Sequence, residues 1–173
     1  MDKKKKDAVI IILICNAILI SLLELIIPIP IPIPGVKLGL ANIITIIAIA
    51  FLDFPDVLLI VFLRCLVVAV LSKGITVLPF SLTGGLLSAM VMWLIYKKLS
   101  RWFSIKGISV VGAIVHNTAQ LMVASLILRE AVLFYYVPVL LISAIITGLI
   151  TGSISQLTVS EIEKKGVFAE ISQ

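Results

Sequence analysis

From Ala8 to Ile27 the chain runs through twenty residues with one charged side chain, Glu24. An α-helix needs about 20 apolar residues to cross the hydrocarbon core of a bilayer. Further apolar stretches at 36–52, 57–71, 79–96, 107–128 and 133–157 follow, separated by short polar turns. Backbone inside lipid must satisfy its own hydrogen bonds, so stretches of this kind are helices. The pattern predicts an all-α polytopic membrane protein with six transmembrane helices, residues 1–173 forming one membrane domain.

Composition agrees. Hydrophobic residues make up 61% of the chain and charged residues 13%, against roughly 25% charged in a soluble domain. The net charge of +5 implies no nucleic-acid partner, because the cations sit at the ends of apolar runs. Cys15 and Cys65 both lie inside such runs and read as small core residues; two thiols make neither a disulfide framework nor a metal site. Lys3-Lys4-Lys5-Lys6 before the first run imitates a signal peptide. The run is too long for one and ends in Pro-Ile repeats, so it reads as a retained span.

The Pro28–Pro34 repeat removes alternate N–H donors and fixes φ. It is expected to be extended and to lie at the interface or over a protein cavity, since such backbone cannot face lipid. Asp53 and Asp56 flank Pro55 in a tight turn, where they read as helix caps. Pro79 reads as the start of the fourth span.

Charge orients the bundle. With six spans, one side holds Lys3, Lys4, Lys5, Lys6, Lys97, Lys98, Arg101, Lys106, Lys164 and Lys165, ten cations; the other holds Lys37, Lys73 and Arg129, three. The positive-inside rule puts the ten in the cytoplasm, giving an N-in/C-in protein of the plasma membrane. Depth then follows from position. Glu24, Lys37, Asn42, Lys73 and Thr83 fall in the outer half, Arg64, His116 and Asn117 near mid-depth, and Gln120 further out. Intramembrane polar groups face the bundle interior or water. His116 and Gln120 share a helix face with Gly112, and Asn16 is expected on the face of Glu24. Together these residues predict an outward-facing, ligand-binding polar pocket. Each also has a structural reading: His116 as an interhelical hydrogen-bond partner, Glu24 and Arg64 as an ion pair, Lys37 and Lys73 as snorkelling cations.

Small residues recur at fourfold spacing: Ser81, Gly85 and Ala89 on the fourth span, and Ala144, Gly148 and Gly152 on the sixth. They let helices approach closely, either within the bundle or against a partner. No P-loop, HExxH, GxSxG or CxxC is present, so no nucleotide, metal or other cofactor is expected. Asp53 and Asp56 form no pair of aspartate-rich clusters of the kind that holds Mg²⁺ in prenyl transfer.

Three stretches carry a resemblance. Gly35-Val36-Lys37-Leu38-Gly39-Leu40-Ala41-Asn42, then Lys73-Gly74-Ile75 with Pro79-Phe80-Ser81-Leu82-Thr83-Gly84-Gly85, then His116-Asn117-Thr118-Ala119-Gln120-Leu121 resemble the Gx transporter family. That family is also labelled heptaprenyl diphosphate synthase component I. It is similar to the substrate-binding S components of energy-coupling factor (ECF) transporters. The resemblance implies a six-helix S-component-like bundle with an outward pocket, the Pro28–Pro34 segment over the ligand, and a transmembrane coupling protein with ATPases as partner. S components often carry an Ala-x-x-x-Ala surface on the first span, a spacing Ala8 and Ala17 lack. The leading expectation is a non-enzymatic protein that binds and takes up a small anionic or polar metabolite. The alternatives are a membrane subunit presenting isoprenoid diphosphate to a soluble prenyl synthase subunit, and a scaffold without ligand.

Overall fold

The structure, a computed structural model, describes residues 3–26, 39–72 and 74–166. It is helical: α1 Lys3–Glu24, α2 Asn42–Phe51, α3 Phe54–Leu71, α4 Leu78–Leu99, α5 Ile105–Leu128 and α6 Val137–Lys164. Short 3₁₀ turns at Ile75–Val77 and Ala131–Tyr136 lead into α4 and α6. Among the described residues there is no strand.

The helix starts are legible chemistry. α3, α4 and α6 each carry a proline in the first turn, Pro55, Pro79 and Pro138, where a missing N–H costs nothing. At the start of α5 the Ser104 hydroxyl accepts from the Gly107 N–H at 3.3 Å. Asp53 holds the N-cap position of α3, but its side chain makes no capping bond. The aspartates turn to α1 instead: Lys6 Nζ lies 3.3 Å from Asp53 Oδ2 and 2.7 Å from Asp56 Oδ2. The capping expectation is corrected to a clamp between the first helix and the α2–α3 turn. The pair with Asp53 is exposed and that with Asp56 half-buried; pairs near the surface contribute little and are screened by salt. Lys6→Met is therefore expected to lower the melting temperature in detergent slightly, by an amount that high salt removes.

Five helices are long and apolar enough to cross a membrane: α1, α3, α4, α5 and α6, the fourth and sixth together with their leading turns. The second expected span differs. In place of 36–52 the described residues hold a ten-residue helix, α2, about 15 Å long, half the roughly 30 Å of a hydrocarbon core. Residues 36–38 of that expected span lie outside the described residues, as do Pro28–Pro34. α2 packs against all five long helices, and every residue from Asn42 to Ile49 is buried. An apolar helix buried on every side by its neighbours is a core helix. Here the sequence NIITIIAIAF belongs at the bundle's centre, shielded from lipid.

α2 still carries the chain across the bundle. Gly39, just before it, donates its N–H to Glu24 at the end of α1. Asp53, just after it, meets Lys6 at the start of α1. The remaining helices pack on their sequence neighbours, α4 against α3, α5 against α4 and α6 against α5.

Lipid tails are as apolar as leucine, so close approach and buried polar contacts hold such helices together. α5 and α6 make the tightest fit. Ala144, Gly148 and Gly152 are buried facing α5. A Cβ on Gly148 would lie 2.6 Å from Val110 Cα, and one on Gly152 2.7 Å from Lys106 Cα. Between them Ser109 Oγ and Thr151 Oγ1 lie 2.8 Å apart, buried. Thr151 donates its own proton to the Thr147 carbonyl at 2.9 Å, which leaves Ser109 as the donor between the helices.

α1 has another character. It packs mainly on α3, and its outer face bears exposed Ile11, Ile12, Leu19 and Leu23. Cys15 and Asn16 lie on that face too, which corrects two expectations. Cys15 is exposed, whereas Cys65 is buried as expected. Asn16 does not share the buried face of Glu24; its amide turns back to the Ile12 carbonyl at 2.8 Å. Eight residues at about 3.6 per turn overshoot two turns by about 80°, enough to place the two side chains on different faces.

Candidate functional site

Four helices and the turn before α2 enclose a cavity lined by Ser21, Glu24, Gly39, Arg64, Ser81 and His116, with Cys65 and Val68 completing the wall. Its free volume is about 20 Å³, the room of a single water. Arg64 is 5% exposed, Glu24 3% and His116 4%. Three ionisable side chains thus converge on one small space inside an apolar bundle.

Local structure explains how each arrives there. Gly39 has φ +79°, a left-handed conformation that suits glycine. It turns the chain into α2 and aims its N–H at the Glu24 carboxylate. A carboxylate beside the first turn of a helix is favourably placed against the helix dipole. On α4, consecutive glycines admit two neighbours. A Cβ on Gly85 would lie 3.0 Å from an Arg64 guanidinium nitrogen and 3.0 Å from Val61. One on Gly84 would lie 2.9 Å from Gln120 Cγ and 3.3 Å from His116 Cε1. The Gly84-Gly85 pair is therefore a cradle for the polar side chains of α3 and α5.

Arg64 is the least balanced group. Its Nη2 lies 3.7 Å from the Cys65 sulfur, and Cys65 in turn reaches the Ser81 carbonyl at 3.3 Å. Arg64 and Glu24 line the same cavity without forming the expected ion pair; among the described residues no carboxylate lies within 4.0 Å of the guanidinium. Residues 27–38 contain no aspartate or glutamate, so the connection between α1 and α2 cannot supply one. Asn42, the first residue of α2, is 1% exposed. Neither atom of its amide has a hydrogen-bond partner among the described residues. It lies beside Gly39, whose Cβ would be 3.3 Å from Asn42 Nδ2 and 3.9 Å from His116 Cδ2.

Other expected site residues lie elsewhere. Asn117 is buried but lines a separate void of about 10 Å³ with Leu121, Val137 and Leu140, one residue and about 100° round α5 from His116. Thr83 is half-buried and outside the cavity wall. Gln120 is fully buried against Gly84. Lys37 and Lys73 lie outside the described residues. Ser81, expected in a packing strip with Gly85 and Ala89, lines the cavity itself, and Gly85 packs against Arg64 and Cys65 of its wall. Ser21, Gly39, Cys65 and Val68 were not anticipated as cavity residues. They are small or apolar, and no transfer penalty marks them in the sequence. Among the described residues no cluster of three His, Cys, Asp or Glu side chains could hold a metal.

Fold and site together define a multi-pass helical membrane protein with a small, charged cavity at the start of a central short helix. The sequence profile of heptaprenyl diphosphate synthase component I matches residues 13–158, and the chain belongs to that family, the one the Gx transporter likeness indicates. No curated protein matches the chain, and no solved structure does.

Proposed function

We propose that the chain is a substrate-binding membrane protein that takes up a small anionic or polar metabolite through this cavity. The observation carrying the reading is the buried guanidinium of Arg64, which forms no ion pair within 4.0 Å among the described residues. A buried guanidinium without a directly bonded carboxylate is expensive, and an anionic ligand would supply that partner. With room for one water in the cavity, a metabolite enters only as the surrounding elements shift.

In this reading the ten-to-three distribution of cations sets N-in/C-in in the plasma membrane. The bundle then makes six traverses, α2 being the short one, and Glu24, Asn42 and the cavity lie in the outer half, with Lys37, Lys73, Thr83, Asn117 and Gln120 as surrounding pocket residues. Energy for uptake would come from a transmembrane coupling protein with ATPases, as in the S components the sequence resembles. The family name supports a second reading, a component that presents an isoprenoid diphosphate to a soluble catalytic subunit. The diphosphate would meet the same Arg64, while the prenyl chain would have to leave the cavity between helices. Co-expression with a catalytic subunit separates the two: unchanged product length and rate without this chain count against the second.

The test of the uptake reading is mass spectrometry of metabolites released from the purified protein, run beside Asn42→Leu. A buried polar group without a partner costs about 1–3 kcal/mol. Asn42→Leu is therefore expected to keep or raise the melting temperature of the empty protein while losing the released metabolite. A wild-type protein that releases no small molecule, and whose stability falls with Asn42→Leu, would leave the scaffold reading standing.

A further inference from the structure

The α4–α5 connection carries Lys97, Lys98, Arg101 and Lys106 with no acid between them. All four are exposed. None makes an ion pair among the described residues. Elsewhere cations do find partners, Lys6 with Asp53 and Asp56 and Lys164 with Glu161. Trp102, in the middle of the basic run, is 81% exposed. Beside the run lies a groove of about 360 Å³ whose wall includes Tyr96, Phe103, Ile105, Ile108 and, from α6, Gln156. Gln156 also lines an adjoining hollow of about 220 Å³, which continues past Lys106 and Leu157. The two hollows meet at Gln156 between the α4–α5 hairpin and α6: the first has the apolar and aromatic wall of Tyr96, Phe103, Ile105 and Ile108, and the second is more polar, with Lys106, Ser153 and Ser160 beside Leu157.

We infer that this groove is a binding site for one anionic phospholipid. The phosphate sits among Lys97, Lys98, Arg101 and Lys106, and an acyl chain lies along Tyr96, Phe103 and Ile108. Charge selects the occupant: four unpaired cations on the membrane edge match an anionic headgroup, and basic pockets between transmembrane helices bind such headgroups. The groove distinguishes a seated lipid from a diffuse attraction of the loop to the surface. Trp102 at the rim suits the interfacial level at which indole rings settle. A lipid seated there joins the α4–α5 hairpin to the last turns of α6. The inference is independent of what the inner cavity binds.

The experiment is native mass spectrometry and thermal unfolding of the full chain in nanodiscs of phosphatidylglycerol or phosphatidylcholine. Wild type is expected to retain phosphatidylglycerol in preference to phosphatidylcholine and to melt higher in its presence. Replacing Lys97, Lys98, Arg101 and Lys106 together by glutamine should cut the preference by at least about tenfold, each cation near the surface contributing comparably. Exchanging lysine for arginine and arginine for lysine at the same positions should keep it. Ser100→Trp, which fills the groove and leaves every charge, should also lose the retained lipid. Glycerol 3-phosphate in solution should not displace it, because the acyl chain is part of the ligand. Equal retention of both lipids by wild type, or unchanged retention in Ser100→Trp, overturns the site. So does a result in which the glutamine variant holds its lipid and instead loses a soluble protein partner.

Discussion

Gly148→Leu is expected to prevent recovery of a monodisperse, folded protein, while Gly148→Ala is recovered with a clearly lower unfolding midpoint. A Cβ on Gly148 would meet the Val110 backbone, 2.6 Å from Cα and 3.1 Å from N. Backbone cannot rotate aside as a side-chain tip can, so α5 and α6 must separate. Overpacking in a close-fitted core costs about 1–3 kcal/mol for a modest insertion, and isobutyl is a far larger one. The polar contact in the seam cannot compensate. An interhelical hydrogen bond like Ser109–Thr151 contributes about 0.6 kcal/mol on average in membrane proteins. Separation also forfeits the contacts of Gly152 with Lys106 and Ser109. Gly107→Ala is the control. Its Cβ would approach Phe103 Cδ1 at 3.3 Å, a ring edge on an exposed side chain, and alanine is the better helix former by about 1 kcal/mol. Size-exclusion profiles and denaturant midpoints in mild detergent read all three. A Gly148→Leu variant with the wild-type midpoint would mean that α5 and α6 do not meet at this seam.

The same glycines show what the sequence makes legible. Fourfold small-residue spacing marks surfaces where helices approach, and Gly148 and Gly152 do face a neighbour, α5. The spacing does not say which neighbour, nor that Gly85 faces a guanidinium where Gly148 faces backbone. Apolar run length located α3, α4, α5 and α6, and Pro79 marked the start of α4. Hydropathy could not set the length of α2, because it measures preference for an apolar solvent, and a buried centre and a lipid tail satisfy isoleucine equally. What distinguishes α2 is its burial: every residue from Asn42 to Ile49 lies inside the bundle. Glu24, Arg64 and His116 were legible because ionisable groups in a membrane carry a penalty that demands an explanation. The neutral wall of the cavity carries no such mark. Neighbours in sequence also part in space: His116 and Asn117 stand on one helix and line different voids.

Arg64→Met is expected to leave the empty protein as stable as wild type or more so, and to abolish retention of its ligand. Two opposed effects set this result. Replacing a buried charge by an apolar chain of similar length removes a desolvation penalty, and such exchanges are neutral or stabilising by about 1–4 kcal/mol. Methionine also fits the space beside Gly85, where the guanidinium now lies. Removing one partner of a buried, hydrogen-bonded charge pair from a complex, by contrast, costs about 2–5 kcal/mol, a loss of affinity of at least about thirtyfold. Wild-type protein with ligand at about one hundred times its dissociation constant gains about 2.7 kcal/mol of apparent stability. Extracted ligand added back should therefore raise the wild-type melting temperature and leave that of Arg64→Met unmoved. Arg64→Lys should fall between, since lysine keeps the charge and loses the planar fork that binds carboxylate or phosphate in two places. The pattern separates a binding arginine from a structural one. If Arg64 served only the fold, Arg64→Met would lower stability with or without added ligand, and Arg64→Lys would restore it. If instead Arg64→Met releases the same anionic metabolites as wild type, the cavity does not recognise negative charge through Arg64, and the uptake reading loses the observation that carries it.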